Sequence, residues 1–172
     1  MPKELSREEL LDKIEETAHN YEKEYHGCTR SALLSLQEHL NLGDELTFQS
    51  SSPLCSSALS GGICGAMLAG LLALGLVTCT RKMEKDLTTI SGPIIAGSKL
   101  LRKFQKEFGT TFCSDIRAAK LGQSFNMLDP EGYKRAEEAG LYEECSKTVG
   151  KVARLAAEFI LDRQEREKAA KQ

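Results

Sequence analysis

The sequence predicts an all-α fold: a single-domain bundle of about five to seven helices around a buried central helix rich in Gly, Ala and Leu. Three observations lead there. Apolar residues recur mostly three and four positions apart rather than in alternation, and only 4 prolines interrupt the 172 residues. With 41% hydrophobic and 28% charged side chains, the chain has enough apolar material to close one core unaided. No repeat and no break in composition divides it, so residues 1–172 read as one domain.

Ser6 and Glu9 form a capping box, and Leu11, Ile14, Ala18, Tyr21 and Tyr25 follow at helical spacing, which predicts an amphipathic helix over residues 6–26. Gly27 interrupts it. A second helix begins near Cys28, carries Leu33, Leu36 and Leu40 on one side and stops at Gly43. Residues 47–62 are rich in Ser and Gly and read as an ordered loop. Cys64 then opens the central helix, which ends before Arg81 and Lys82, cations suited to the negative end of a helix dipole. Pro93 fits the first position of another helix, with Ile94, Leu101, Phe104 and Phe108 along its apolar side and Gly109 at its end. A short helix runs from about Cys113 to Gly122, and Asp129 with Pro130 caps the next, which ends at Gly140. The last helix begins around Cys145 and turns Val149, Val152, Ala156, Phe159 and Ile160 inward, leaving residues 162–172 as a solvated tail.

Between Leu46 and Thr80 there is no charged side chain, which raises the question of a membrane helix. The continuously apolar part, residues 63–77, would span about 22 Å at 1.5 Å per residue, against roughly 30 Å of bilayer hydrocarbon. The expectation is therefore no membrane span, and a helix covered on all sides by its neighbours. A net charge of -2 with both signs interspersed offers no basic surface to a nucleic-acid backbone, which excludes that class of partner. The amino terminus is charged and lacks the apolar run of a secretory signal, so the expected location is cytoplasmic. A chain of this length in that compartment is expected to keep its 6 cysteines reduced.

The cysteines carry the chemistry. No Cys-x-x-Cys pair occurs, which argues against a thioredoxin-type dithiol, a zinc ribbon and c-type haem attachment. Cys28, Cys64, Cys113 and Cys145 are far apart in sequence but share a predicted setting, each at or just before the first turn of a helix. Such positions present free amides and about half a positive charge, which stabilises thiolate. Four of them meeting at one point would offer roughly two positive charges. A two-iron, two-sulfide cluster on four thiolates carries about two negative charges, as does a zinc tetrathiolate, so charge alone leaves both metals open. Separately buried apolar thiols are the plain alternative. Cys79 would lie about 22 Å from Cys64 along one helix and reads as a structural thiol, or as a surface redox or dimer contact. Cys55, in the serine-rich loop, reads as a non-ligand, with a substitute-ligand or resolving-thiol role as the alternative. The histidines His19, His26 and His39 all fall on the first two helices and make no acid–base constellation. His26 reads as a helix-end residue, the alternative being a hydrogen bond to a ligand sulfur.

These residues resemble the C_GCAxxG_C_C family of redox-active proteins. The resemblance runs through Gly27-Cys28-Thr29-Arg30-Ser31-Ala32-Leu33, Ser52-Pro53-Leu54, Cys64-Gly65-Ala66-Met67-Leu68-Ala69-Gly70, Leu74-Gly75-Leu76, Phe108-Gly109-Thr110-Thr111-Phe112-Cys113 and Cys145. It implies an all-helical protein with four redox-active cysteines. It extends to the iron–sulfur domain of split-Soret cytochromes, without the haem part. Cys28, Cys64, Cys113 and Cys145 would then be both the cofactor-binding and the metal-ligating residues. The cofactor would be an iron–sulfur cluster of the [2Fe-2S] type, with zinc as the alternative. Expected partners are a redox oxidoreductase and a second copy of the chain. The function expected is electron transfer or redox sensing by a carrier without a catalytic residue. The alternatives are a cluster-free thiol–disulfide redox protein and a structural-zinc binding module.

Overall fold

The computed structural model describes residues 5–79 and 87–169. Among the described residues the chain forms nine α-helices: α1 Arg7–Tyr25, α2 Cys28–Leu40, α3 Glu45–Ser51, α4 Cys55–Leu59, α5 Gly65–Thr78, α6 Leu87–Phe108, α7 Cys113–Leu121, α8 Pro130–Glu138 and α9 Leu141–Ala169. The fold is all-α, as predicted. The two helices beyond the predicted set, α3 and α4, lie in the segment read as a loop, joined by a 3-10 turn at Ser52–Leu54. Asp44 caps α3 by accepting from the Thr47 N–H. Ser50 and Ser51 donate their hydroxyls back to the carbonyls of Thr47 and Phe48. Serines that signal turns by competing for backbone groups here satisfy them within short helices instead.

The capping box closes as expected: the Glu9 N–H donates to Ser6 Oγ, and the Ser6 N–H to Glu9 Oε2. Two starts differ from the sequence reading. α6 begins at Leu87 and holds Pro93 inside it. Leu87 and Ile90 extend the three- and four-residue spacing ahead of Ile94, and Pro93 stands seventh in the helix, where it removes one helical hydrogen bond. α9 begins at Leu141, directly after Gly140, whose φ of 91° makes the turn out of α8. The predicted solvated tail is helical to Ala169, and Asp162 and Glu165 pair with Arg7 of α1. Arg81 and Lys82 lie outside the described residues.

The main core cluster is built on α1, α2, α5, α6 and α9, with Ile14, Leu33, Leu36, Met67, Leu100, Phe104, Val149, Val152 and Ile160 fully buried, and a second, small cluster of Met127, Ala136 and Leu141 lies beside it. α9 runs through its middle against α1, α2, α5 and α6. Arg154 of α9 pairs with Glu8, Asp12 and Glu15 of α1. No described helix is long and apolar enough to cross a membrane. α5 is less enclosed than its composition predicts: Ala66, Met67, Ala69, Gly70, Ala73 and Leu74 are buried, but Leu71 and Leu72 are half-buried and Leu76 is exposed. Its small residues let the backbone approach α9, so that a Cβ on Gly70 would lie 3.2 Å from Ala156 Cβ and 3.4 Å from Leu100 Cδ2. Gly70→Leu is therefore expected to destabilise the fold by about 3 kcal/mol through overpacking, read as a shifted urea midpoint. A wild-type midpoint would contradict this packing.

Candidate functional site

Four helices deliver the four motif cysteines. Cys28 is the first residue of α2, Cys64 caps α5 and Cys113 is the first residue of α7. Cys145 departs from the prediction. Because α9 starts at Leu141, Cys145 stands a full turn inside it, beyond the free amides of the helix end.

Cys64 and Cys113 are tied through their backbones. The Cys113 N–H donates to the Gly62 carbonyl at 2.7 Å and the Cys64 N–H to the Thr111 carbonyl at 2.9 Å, around an isolated antiparallel bridge between Ile63 and Phe112. The side chains of Cys64, Cys113 and Cys145 line one small cavity of about 20 Å³, bounded also by Arg117, Leu141 and Thr148, with room for about one water. Cys28 stands near enough to Cys145 and Cys64 for their charges to act on it. Its sulfur presses on α5 so closely that a Cβ on Gly65 would come within 2.4 Å of Cys28 Sγ and 2.6 Å of Thr29 Oγ1. Gly65 is thus the residue whose smallness admits Cys28.

The other two cysteines differ from each other. α4 turns Cys55 towards the start of α2 instead of towards Cys64. There the Cys28 thiol and the backbone N–H groups of Thr29 and Arg30 act on its charge. The Cys28 thiol, reinforced by those amides, holds the Cys55 thiol well below the usual thiol range. Cys79 is exposed at the opposite end of α5 from Cys64, beside Thr78 Oγ1 at 3.7 Å, and takes no part in the site.

Two site residues escape a sequence reading. Glu22 is 3% exposed, on the buried stripe of α1 that runs Leu11, Ile14, Ala18, Glu22. Its Oε2 accepts from the Ser31 hydroxyl at 3.1 Å, and Cys145 and the Gly27 N–H lie near enough to favour its charged form. Burial pushes the Glu22 carboxyl up to about 7 despite those neighbours. The available signal was the four-residue step from Ala18, which places a carboxylate where the stripe calls for an apolar side chain. The reading instead extended the stripe to Tyr21 and Tyr25, and Tyr25 is 65% exposed. The second residue is Arg117, one turn after Cys113 on α7. It is buried, donates to the Ala58 carbonyl at 2.7 Å and reaches Cys113 Sγ at 3.5 Å. His26 contacts no sulfur: its Nε2 meets the Lys23 carbonyl at 3.0 Å, and its ring stacks on Tyr142 with centroids 3.5 Å apart.

Burial reverses the thiolate character expected from helix ends. The amides of Ala66 and Met67 favour a charged Cys64, but burial outweighs them and pushes its thiol up to about 12. Burial raises Cys113 against the pull of Arg117, and it raises Cys145 well above the ordinary range with Glu22 and the neighbouring sulfurs adding to it. Cys28 is raised first by Cys55 and then by burial. These four thiols are neutral near pH 7, so taking up a metal means releasing protons.

Among the described residues, no three His, Cys, Asp or Glu side chains stand at the spacing of ligands to one metal ion. The donor set nevertheless suits an anionic sulfur-ligated centre. Three soft thiols line one small cavity with Cys28 beside it, and two buried polar atoms nearby have no hydrogen-bond partner: Arg117 Nε and the Thr29 hydroxyl. A negatively charged group there would give these donors an acceptor. A family model with the description "Putative redox-active protein (C_GCAxxG_C_C)" matches residues 25–159, a span that contains all six cysteines and Arg117 but not Glu22. No curated protein and no solved structure matches the chain.

Proposed function

The chain belongs to the C_GCAxxG_C_C family, and from that premise we propose that it is an electron carrier or redox sensor holding one iron–sulfur cluster of the [2Fe-2S] type on Cys28, Cys64, Cys113 and Cys145. The observation that supports this reading is that three of the family's cysteines, Cys64, Cys113 and Cys145, line one small cavity beside Arg117, with Cys28 packed against the start of α5 at Gly65. When bound, the cluster supplies one-electron capacity at nearly fixed geometry. The chain's own groups do the rest. The four thiols would ligate as thiolates, the Ala66 and Met67 amides and the Arg117 guanidinium would hold negative charge on sulfur, and Ile116 and Leu121 of α7 with Leu141 of α9 would wall the site. An oxidoreductase would exchange electrons with it, and a second copy would cover the half-buried leucines of α5. A cytoplasmic setting agrees with six free cysteines.

Anaerobic purification followed by iron, zinc and acid-labile sulfide analysis tests the reading. A brown protein with matched iron and sulfide that bleaches on reduction is expected. Serine at Cys28, Cys64, Cys113 or Cys145 should each remove most of the metal, whereas Cys79→Ser should leave it near normal. A colourless zinc-loaded chain would make it a structural-zinc binding module. A metal-free chain whose thiol count changes reversibly would make it a thiol–disulfide protein. Equal metal loss at all six cysteines would overturn the ligand assignment.

A further inference from the structure

Away from the four motif cysteines, α5, α6 and α9 leave a cleft of about 390 Å³ between them, within the roughly 300–1,000 Å³ of sites that take small molecules. It lies towards the end of α5 opposite Cys64, where Arg163 of α9 donates from Nε to the Val77 carbonyl at 3.2 Å. Its lining combines two chemistries. Leu74, buried, and Ala96 and Phe159, half-buried, are apolar, as is Ile95, which is 52% exposed. Lys99, Arg163 and Arg166 line the same cleft. Asp162 lines it too, but Arg7 of α1 holds that carboxylate. Among the described residues, Lys99 and Arg166 pair with no carboxylate. Three cations beside one neutralised anion leave the apolar surface with a positive border.

Such a lining selects an anion that carries an apolar tail. The cleft is too small for an amphipathic helix of a partner protein: at 10–12 Å across and 5.4 Å per turn, a single turn fills about 500 Å³. One extended acyl chain needs far less width. We infer that the cleft binds a free fatty acid, with its carboxylate among Lys99, Arg163 and Arg166 and its acyl chain along Leu74, Ile95 and Phe159. Charge-assisted hydrogen bonds from the cations fix the head, and removing the tail from water supplies the remaining attraction. No cysteine takes part, so this site stands or falls separately from the proposed function.

The test is isothermal titration of the full chain with sodium dodecanoate below its micelle concentration, with acetate as the probe lacking a tail and dodecanol as the probe lacking a charge. One dodecanoate should bind per chain, less tightly as salt rises, and neither acetate nor dodecanol should match it. The double variant Lys99→Glu with Arg166→Glu should weaken dodecanoate binding by about tenfold. Gly92→Leu is a second, independent variant. Gly92 lines the cleft, and a Cβ there meets nothing within 4 Å, so leucine can occupy the space without a clash and should weaken binding as well. All three positions are exposed, which leaves the core untouched. No saturable binding, equal binding by wild type and both variants, dodecanol bound as tightly as dodecanoate, or binding only to phosphatidylglycerol vesicles free of fatty acid would each overturn the proposal.

Discussion

Gly65→Ala is expected to displace Cys28 from the site and to lower metal content as far as Cys28→Ser does. The single methyl would lie 2.4 Å from Cys28 Sγ and 2.6 Å from Thr29 Oγ1, well inside van der Waals contact. Neither neighbour is the free end of a long side chain: both are one bond from Cβ on the first turn of α2, so relief requires both side chains to turn about χ1 or α2 and α5 to separate. Such overpacking costs about 1–3 kcal/mol. The same helix supplies a control. A Cβ on Gly75 would meet nothing within 4 Å, so Gly75→Ala should stabilise by about 0.5–1 kcal/mol through helix propensity. Urea midpoints and iron per chain, measured for both variants, check the contrast. Two variants with equal midpoints and equal iron would remove Gly65 from the site.

Glu22→Gln should change how the stability of the reduced, metal-free chain depends on pH. The folded Glu22 carboxyl titrates near 7, against an ordinary value of 4.5. Between those values the folded state keeps a proton that the unfolded chain has lost, so stability falls as pH rises. The contribution is fully present below 4.5 and is gone once pH has passed through about 7. A shift of that size corresponds to about 3 kcal/mol. Glutamine keeps the contact with Ser31 but cannot ionise. The variant should therefore lie about 3 kcal/mol higher relative to wild type at pH 8 than at pH 4. A wild-type-to-variant difference that is the same at both pH values would mean that Glu22 is not held in a dry environment.

The sequence exposed the parts of the fold governed by local rules. The Ser6 and Glu9 capping box, the start of α2 at Cys28, the cap of α5 at Cys64 and the stop of α7 at Gly122 all follow from short-range signals, and all appear. The α3–α4 segment was hidden because a serine hydroxyl bonds to a nearby carbonyl in a turn and in a helix alike. Pro93 misled because proline favours a first turn, whereas here it stands seventh in α6. The family's cysteine pattern was legible and the surroundings of those cysteines were not. Glu22 is invisible to a reading that assigns carboxylates to solvent. Arg117 looks like any surface arginine until α4 presents the Ala58 carbonyl to it. The thiolate expectation failed for a related reason: helix-end amides are a local property, whereas burial is decided by elements far away in the chain.

The backbone hydrogen bonds joining Cys64 to Thr111 and Cys113 to Gly62 involve no sulfur atom. Under the proposed function this clasp would hold two of the four ligand cysteines in register before any inorganic material arrives, while Cys28 and Cys145 are placed by the packing of their own helices. The clasped pair would then be the landing point, with the other two closing over it. Deuterium should enter the amides of Cys64 and Cys113 slowly whether the centre is empty or filled, and any protection gained on filling should concentrate around the other pair.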